Sequence, residues 1–252
     1  MGPRYASSLT LLVGTILYTP PARSADMPAV MIAMQFDHPY SAASFTEMQR
    51  EFERIMLPAK LHIDWRMTAD LTGRERFQGI LVARFKGDCD ASRGNAWGSA
   101  AGDLGMTHVI DGDVSPFAEL NCDHIRAVMA WNPATESTLQ FPRMLGWAMA
   151  RVLAHEFYHA ILKTSKHSAR GIAKARLSPS ELCCSPMGFE SDQMKRIGEA
   201  LTPVPDSYSV STVTVSILPV KASGALWPWL TEGPRIVSAV APGLVAADIE
   251  GH

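Results

Sequence analysis

Apolar and polar positions change their period several times along the chain. Ala29–Phe36 is an unbroken apolar run of strand length (AVMIAMQF). Ser41–Leu57 then switches to helical spacing, with Phe45, Met48, Phe52, Ile55 and Met56 on one face. Ser44 and Glu47 read as a capping box at its start, and Pro58 ends it. Lys60–Met67 alternates Leu61, Ile63 and Trp65, and Gly79–Phe85 (GILVARF) is a further strand. Gly87–Gly105 is a long polar loop. Met106–Ile110 and Pro116–Cys122 read as one strand broken at Asp111-Gly112-Asp113, a hairpin signal. Asp123–Trp131 predicts a short helix. A loop from Asn132-Pro133 leads to Pro142, which is well placed as the first residue of a helix. That helix, Pro142–Leu162, is apolar nearly all round, the mark of a core helix.

The order strand, helix, strand, strand, hairpin, long helix predicts one layered domain of α/β or α+β class, spanning residues 26–202, with no internal repeat. The two ends have a different character. Arg4, the ten-residue apolar run Leu9–Tyr18, Pro20-Pro21 and the small-residue site around Ala22-Arg23-Ser24 predict a signal peptide over residues 1–25. The run is too short for a membrane span, so export to the periplasm or beyond is expected, without stable membrane insertion afterwards. From Pro203 to residue 252 the chain is a Pro-, Gly- and Ala-rich extension. Val210–Val220 offers one strand, and the remainder is expected to be poorly ordered.

Composition narrows the function classes. A formal charge of −2 and a pI near 6.4 give no basic footprint for nucleic acid. A chain of 252 residues builds its core without help from a metal, so any metal site here serves chemistry. Export permits disulfides among the four cysteines. Adjacent Cys183-Cys184 forms a strained ring, so Cys89–Cys122 is the favoured pair, each following a strand-like stretch and flanked by acids. The alternative is four buried thiols.

The chemistry concentrates in His155-Glu156-Phe157-Tyr158-His159. Residues four apart share one helix face, so His155 and His159 can hold one zinc ion. Glu156 is rotated from them by about 100°, where it can act as general base toward a water that the metal activates. About 0.01 accidental matches to this pattern are expected at these His and Glu frequencies. Two imidazoles and a carboxylate in an apolar helix also need a reason. The plain alternative is a pair of hydrogen-bonded core histidines with Glu156 paired to Arg151. A third ligand must come from beyond the helix. His167 lies eight residues past His159, about 12 Å away on a continuous helix, so the helix must end near Lys163–Ser165 and fold back. Glu181 is the rival, although Ser178-Pro179-Ser180-Glu181 reads more simply as a helix start.

From Arg151 to Lys174 the sequence resembles a group of exported bacterial proteins of the zincin class, in which HExxH is followed by HSxxGI, as in His167-Ser168 and Gly171-Ile172 here. The resemblance implies a zincin-like mixed sheet packed on the active helix, zinc on His155, His159 and His167, and Glu156 as base. It is similar to the metzincins in taking a third histidine from beyond the helix, but departs from HExxHxxGxxH in spacing. Ala173 stands where Met is frequent in that group, leaving Met187 as the substitute. The expected function is a secreted zinc metallopeptidase acting on peptide or protein. The alternatives are a zinc hydrolase of another amide or ester, and a non-catalytic zinc-binding or structural protein.

Overall fold

The computed structural model describes residues 29–73, 75–91, 102–130 and 140–202, together with the backbone of two strands at 213–218 and 235–240. The expected signal peptide and most of the expected C-terminal extension lie outside these residues, as do parts of the loops after Gly87 and Asn132.

Strand β1 (Ala29–Phe36) leads into helix α1 (Ala42–Met56), and β2 (His62–Met67), β3 (Arg76–Phe77) and β4 (Gly79–Lys86) follow. The hairpin β5 (Gly105–Ile110) and β6 (Asp113–Asn121) runs into α2 (Cys122–Met129). The long helix α3 (Phe141–Leu162), the short α4 (Pro179–Cys183) and α5 (Ser191–Leu201) complete this part. The main sheet has the order β2-β1-β4-β6-β5, parallel throughout except for the antiparallel β5–β6 pair, which leaves β5 at an edge. This is the mixed α/β architecture expected from the element order.

Side-chain alternation along β1 explains how the layers form. Val30, Ile32 and Met34 join Phe52, Leu153 and Phe157 in the main core. Met31 and Ala33 point the other way, into a small cluster with Ile80, flanked by Leu71 and Phe77. Both faces are covered, so the strand reads as continuous apolar sequence. Helices α1 and α3 cover the main face and approach closely at Gly146, where an added Cβ would lie 2.5 Å from the Ser44 carbonyl oxygen. No helix among the described residues is long and apolar enough to cross a membrane.

Three elements differ from the sequence expectation. Helix α1 is capped by Ser41, whose hydroxyl accepts from the Ser44 N–H at 3.3 Å. Ser44 is therefore already inside the helix and fully buried, and no Ser44–Glu47 box forms. Helix α5 was not expected, because Glu190 takes the capping role usual for Ser or Thr and only Met194, Ile197 and Leu201 mark its inner face. A second sheet, β3-β7-β8, places β7 (Val213–Leu218) beside β3 and adds β8 (Arg235–Val240), where no element was expected. The run Arg235-Ile236-Val237-Ser238-Ala239-Val240 is short but rich in β-branched residues, which favour a pleated backbone.

Candidate metal centre

Pro142 opens helix α3, where the missing N–H costs nothing. The helix stops at Lys163, which adopts the left-handed conformation (φ 49°, ψ 46°) and donates its N–H to the His159 carbonyl. A non-glycine residue there costs about 1–2 kcal/mol. The Lys163 Nζ donates to the Val114 carbonyl at 3.1 Å, a bond across to β6 that helps to hold the stop in place. The Thr164 N–H also reaches the His159 carbonyl, at 3.2 Å. The reversal brings His167 back over the helix end, as the eight-residue spacing requires.

One nitrogen from each of His155, His159 and His167 lies within 4.8 Å of the others. Two of the rings are fixed by backbone. The His155 Nδ1 bonds the Ile172 carbonyl at 2.8 Å, and the His159 Nδ1 bonds the Thr164 carbonyl at 2.6 Å. A carbonyl oxygen only accepts, so both Nδ1 atoms carry the proton and both Nε2 atoms present lone pairs. Those Nε2 atoms face each other at 3.0 Å. Two lone pairs so close repel unless a cation lies between them. Tetrahedral zinc, with bonds of about 2.0–2.1 Å, holds its nitrogens roughly 3.3 Å apart. The donor set therefore fits zinc. Burial pushes the His155 imidazole down to about 4, and His159 is lowered for the same reason. Both rings are thus neutral, the form a metal requires.

Glu156 lies beneath the edge strand. The Thr107 hydroxyl is 2.6 Å from the Glu156 Oε2 and 3.2 Å from the Glu156 carbonyl, and can donate to either. A Cβ on Gly105 would come within 2.7 Å of the Glu156 Oε1, so glycine is needed for the carboxylate to fit. Burial raises the Glu156 carboxyl to about 7, against the lowering influence of Thr107. His155, Glu156, His159 and His167 line a cleft of about 640 Å³, with Gly105 and Thr107 of β5 along one wall.

The other candidates are placed elsewhere. The Glu181 carboxylate accepts from Lys174 at 2.5 Å and closes a capping box with Ser178, which holds it well below the usual range, at about 2. It is not part of the histidine cluster. Arg151 pairs with Glu51 rather than with Glu156. Ala173 is fully buried, and Met187 does not line the cleft. A disulfide joins Cys89 to Cys122, with Cα atoms 5.1 Å apart. The sulfurs of Cys183 and Cys184 lie 2.6 Å from each other. Sequence reasoning missed Thr107 and the carbonyls of Thr164 and Ile172. Gly105 at the start of a strand was the single signal near Thr107, and carbonyl partners leave none.

Fold and site together define a mixed α/β protein whose core helix presents three histidines and a glutamate beneath a sheet edge. Among solved structures the chain is similar to archaemetzincin from Methanopyrus kandleri, at 10% identity over 72% of this chain and 98% of that one, with a TM-score of 0.41. A likeness this slight carries no argument about activity. No protein-family profile and no curated protein matches the chain.

Proposed function

We propose that this protein is a zincin-like, zinc-dependent hydrolase that cleaves peptide bonds outside the cytoplasm. The observation that carries the reading is the pair of Nε2 atoms facing at 3.0 Å, each ring locked by its Nδ1 bond, with Glu156 between them in sequence and His167 completing the set. His155, His159 and His167 would hold the ion. When bound, zinc supplies Lewis acidity, polarising a substrate carbonyl and making water more acidic.

The rest belongs to the protein. The Glu156 carboxylate takes a proton from the attacking water at its free oxygen, Thr107 holding the other, and delivers it to the leaving nitrogen. A carboxyl poised at about 7 suits both the uptake and the release of that proton. A peptide substrate is favoured by β5, an edge strand whose outer side borders the cleft and can accept an extended chain. Action outside the cytoplasm is supported by the leader pattern over residues 1–25 and by the Cys89–Cys122 bridge.

Purified protein is expected to hold about one zinc per chain and to cleave a general protein substrate. His159→Ala should lose the metal. Glu156→Ala should keep it and lose turnover by orders of magnitude. Equal zinc in native and His159→Ala protein, or full activity without Glu156, overturns the reading.

A further inference from the structure

Glu51 on α1 and Arg151 on α3 are 4% and 2% exposed. A buried ion pair is a poor source of stability, since desolvation offsets its attraction. Its bonds lead elsewhere. The Arg151 Nε and Nη2 donate to the Glu51 Oε1 at 2.9 and 2.8 Å. The Arg54 Nε donates to the Glu51 Oε2 at 2.6 Å, and its Nη2 reaches both the Glu51 Oε1 at 2.8 Å and the Met187 carbonyl at 2.6 Å. The next carbonyl, Gly188, accepts from the Ile172 N–H at 3.0 Å. The Ile172 carbonyl in turn accepts from the His155 Nδ1. His155 is one helical turn beyond Arg151, so the path closes on α3 where it began.

His167 depends on the same support. The Ser168 N–H donates to the Ala173 carbonyl at 2.8 Å, closing the turn that follows His167. Gly171 sits in that turn at φ +66°, and a Cβ there would lie 2.8 Å from the Gly188 carbonyl oxygen. The turn therefore rests directly on the 187–188 strip that Arg54 holds.

We propose that Glu51 and Arg54 are positioning residues for the metal centre: through Met187, Gly188 and Ile172 they fix the proton of His155 on Nδ1 and the height of His167 above helix α3. The proposal rests on the zinc reading for its purpose, but the ring itself exists without metal. Removing a partner that orients a metal-ligating histidine typically weakens binding 10–100-fold.

Arg54→Met tests it, because the Arg54 side chain is half exposed and its loss leaves the Glu51–Arg151 pair intact. Zinc affinity, measured by competition with a chromophoric chelator, is expected to fall at least tenfold. The visible spectrum of the cobalt-substituted protein should shift with it. Ile55→Val, a core change on the same helix outside the ring, should lower thermal stability and leave both readouts unchanged. In metal-free protein, nitrogen NMR should show His155 protonated on Nδ1 in the native chain and as a tautomer mixture in Arg54→Met. An unchanged tautomer with unchanged zinc affinity overturns the proposal. A native protein that binds no zinc overturns the functional reading instead, while the tautomer experiment still decides the ring.

Discussion

Glu156 and His155 are neighbours in sequence with opposite responses to burial. His155 is lowered from 6.5 to about 4, and Glu156 is raised from 4.5 to about 7. Without metal, the unfolded chain binds the His155 proton between pH 4 and 6.5 while the folded chain does not, so stability rises with pH in that window. Glu156 does the reverse. From pH 4.5 to 7 the folded chain keeps its proton and the unfolded chain has lost it, so stability falls. The two slopes largely cancel. In metal-free Glu156→Gln the His155 slope should emerge alone. The stability of native minus variant protein should drop by about 3 kcal/mol from pH 4.5 to 7, as read by urea unfolding at each pH. A constant difference would show that Glu156 is not raised by its surroundings. Thr107 carries the second residue-level expectation. A hydrogen bond to a charged group contributes roughly 1.5–3 kcal/mol, so Thr107→Val should lower kcat about tenfold or more with zinc content unchanged. Thr107→Ser should recover most of that loss. Activity surviving intact in Thr107→Val would remove Thr107 from the site.

Helix α3 shows which parts of the structure can be read from residues near one another in the chain. Its start at Pro142, its apolar surround and its end near Lys163 are local, and so is the pairing of His155 with His159 one turn apart. The turn that returns His167 follows from distance alone, though not the left-handed Lys163 that makes it without glycine. What the sequence conceals are partners 49 residues apart, such as Thr107 with Glu156, and 100 apart, such as Glu51 with Arg151. Nothing in the local pattern around Glu51 marks it as buried, because its period matches an ordinary exposed face of an amphipathic helix. Helix α5 escaped because its signals are weak on each count, whereas the fold class survived that omission because the order of strands and long helices sets it. Gly146 gives this scale its test. Alanine is the better helix former by about 1 kcal/mol, but the Ser44 carbonyl oxygen and the Met48 nitrogen leave no room for a methyl group. Overpacking of this kind costs about 1–3 kcal/mol. Gly146→Ala should therefore lower the melting temperature by several degrees, and an increase would mean that α1 and α3 are less closely apposed than described.

The Cys89–Cys122 bridge ties the end of β4 to the start of α2 across a separation of 33 residues, at the level of the whole molecule. Closing a loop of that length disfavours the unfolded chain by about 4 kcal/mol. Cys122 also packs against α3, its sulfur 3.8 Å from that of Met149. The double variant Cys89→Ala/Cys122→Ala should lose roughly 3–4 kcal/mol in chemical unfolding while keeping zinc, because none of the three histidines lies within the bridged loop. Loss of zinc in a variant that remains folded would show that α2 controls the site.

The apolar surround of α3 has an evolutionary consequence. Fold and chemistry share one helix but do not depend on each other: Leu153, Phe157 and Ala160 build the core, and the histidines contribute nothing to it that an aliphatic residue would not improve. His155→Leu should abolish metal binding and raise the melting temperature of the metal-free protein, since it exchanges a desolvated imidazole for apolar contact. A single step in sequence space thus separates an enzyme from a sturdier, inert relative of the same shape. Descendants of this chain that have traded catalysis for adhesion or scaffolding should be recognisable by an intact helix with an altered His155, and the persistence of all three histidines in a lineage would be the record of selection for turnover rather than for folding.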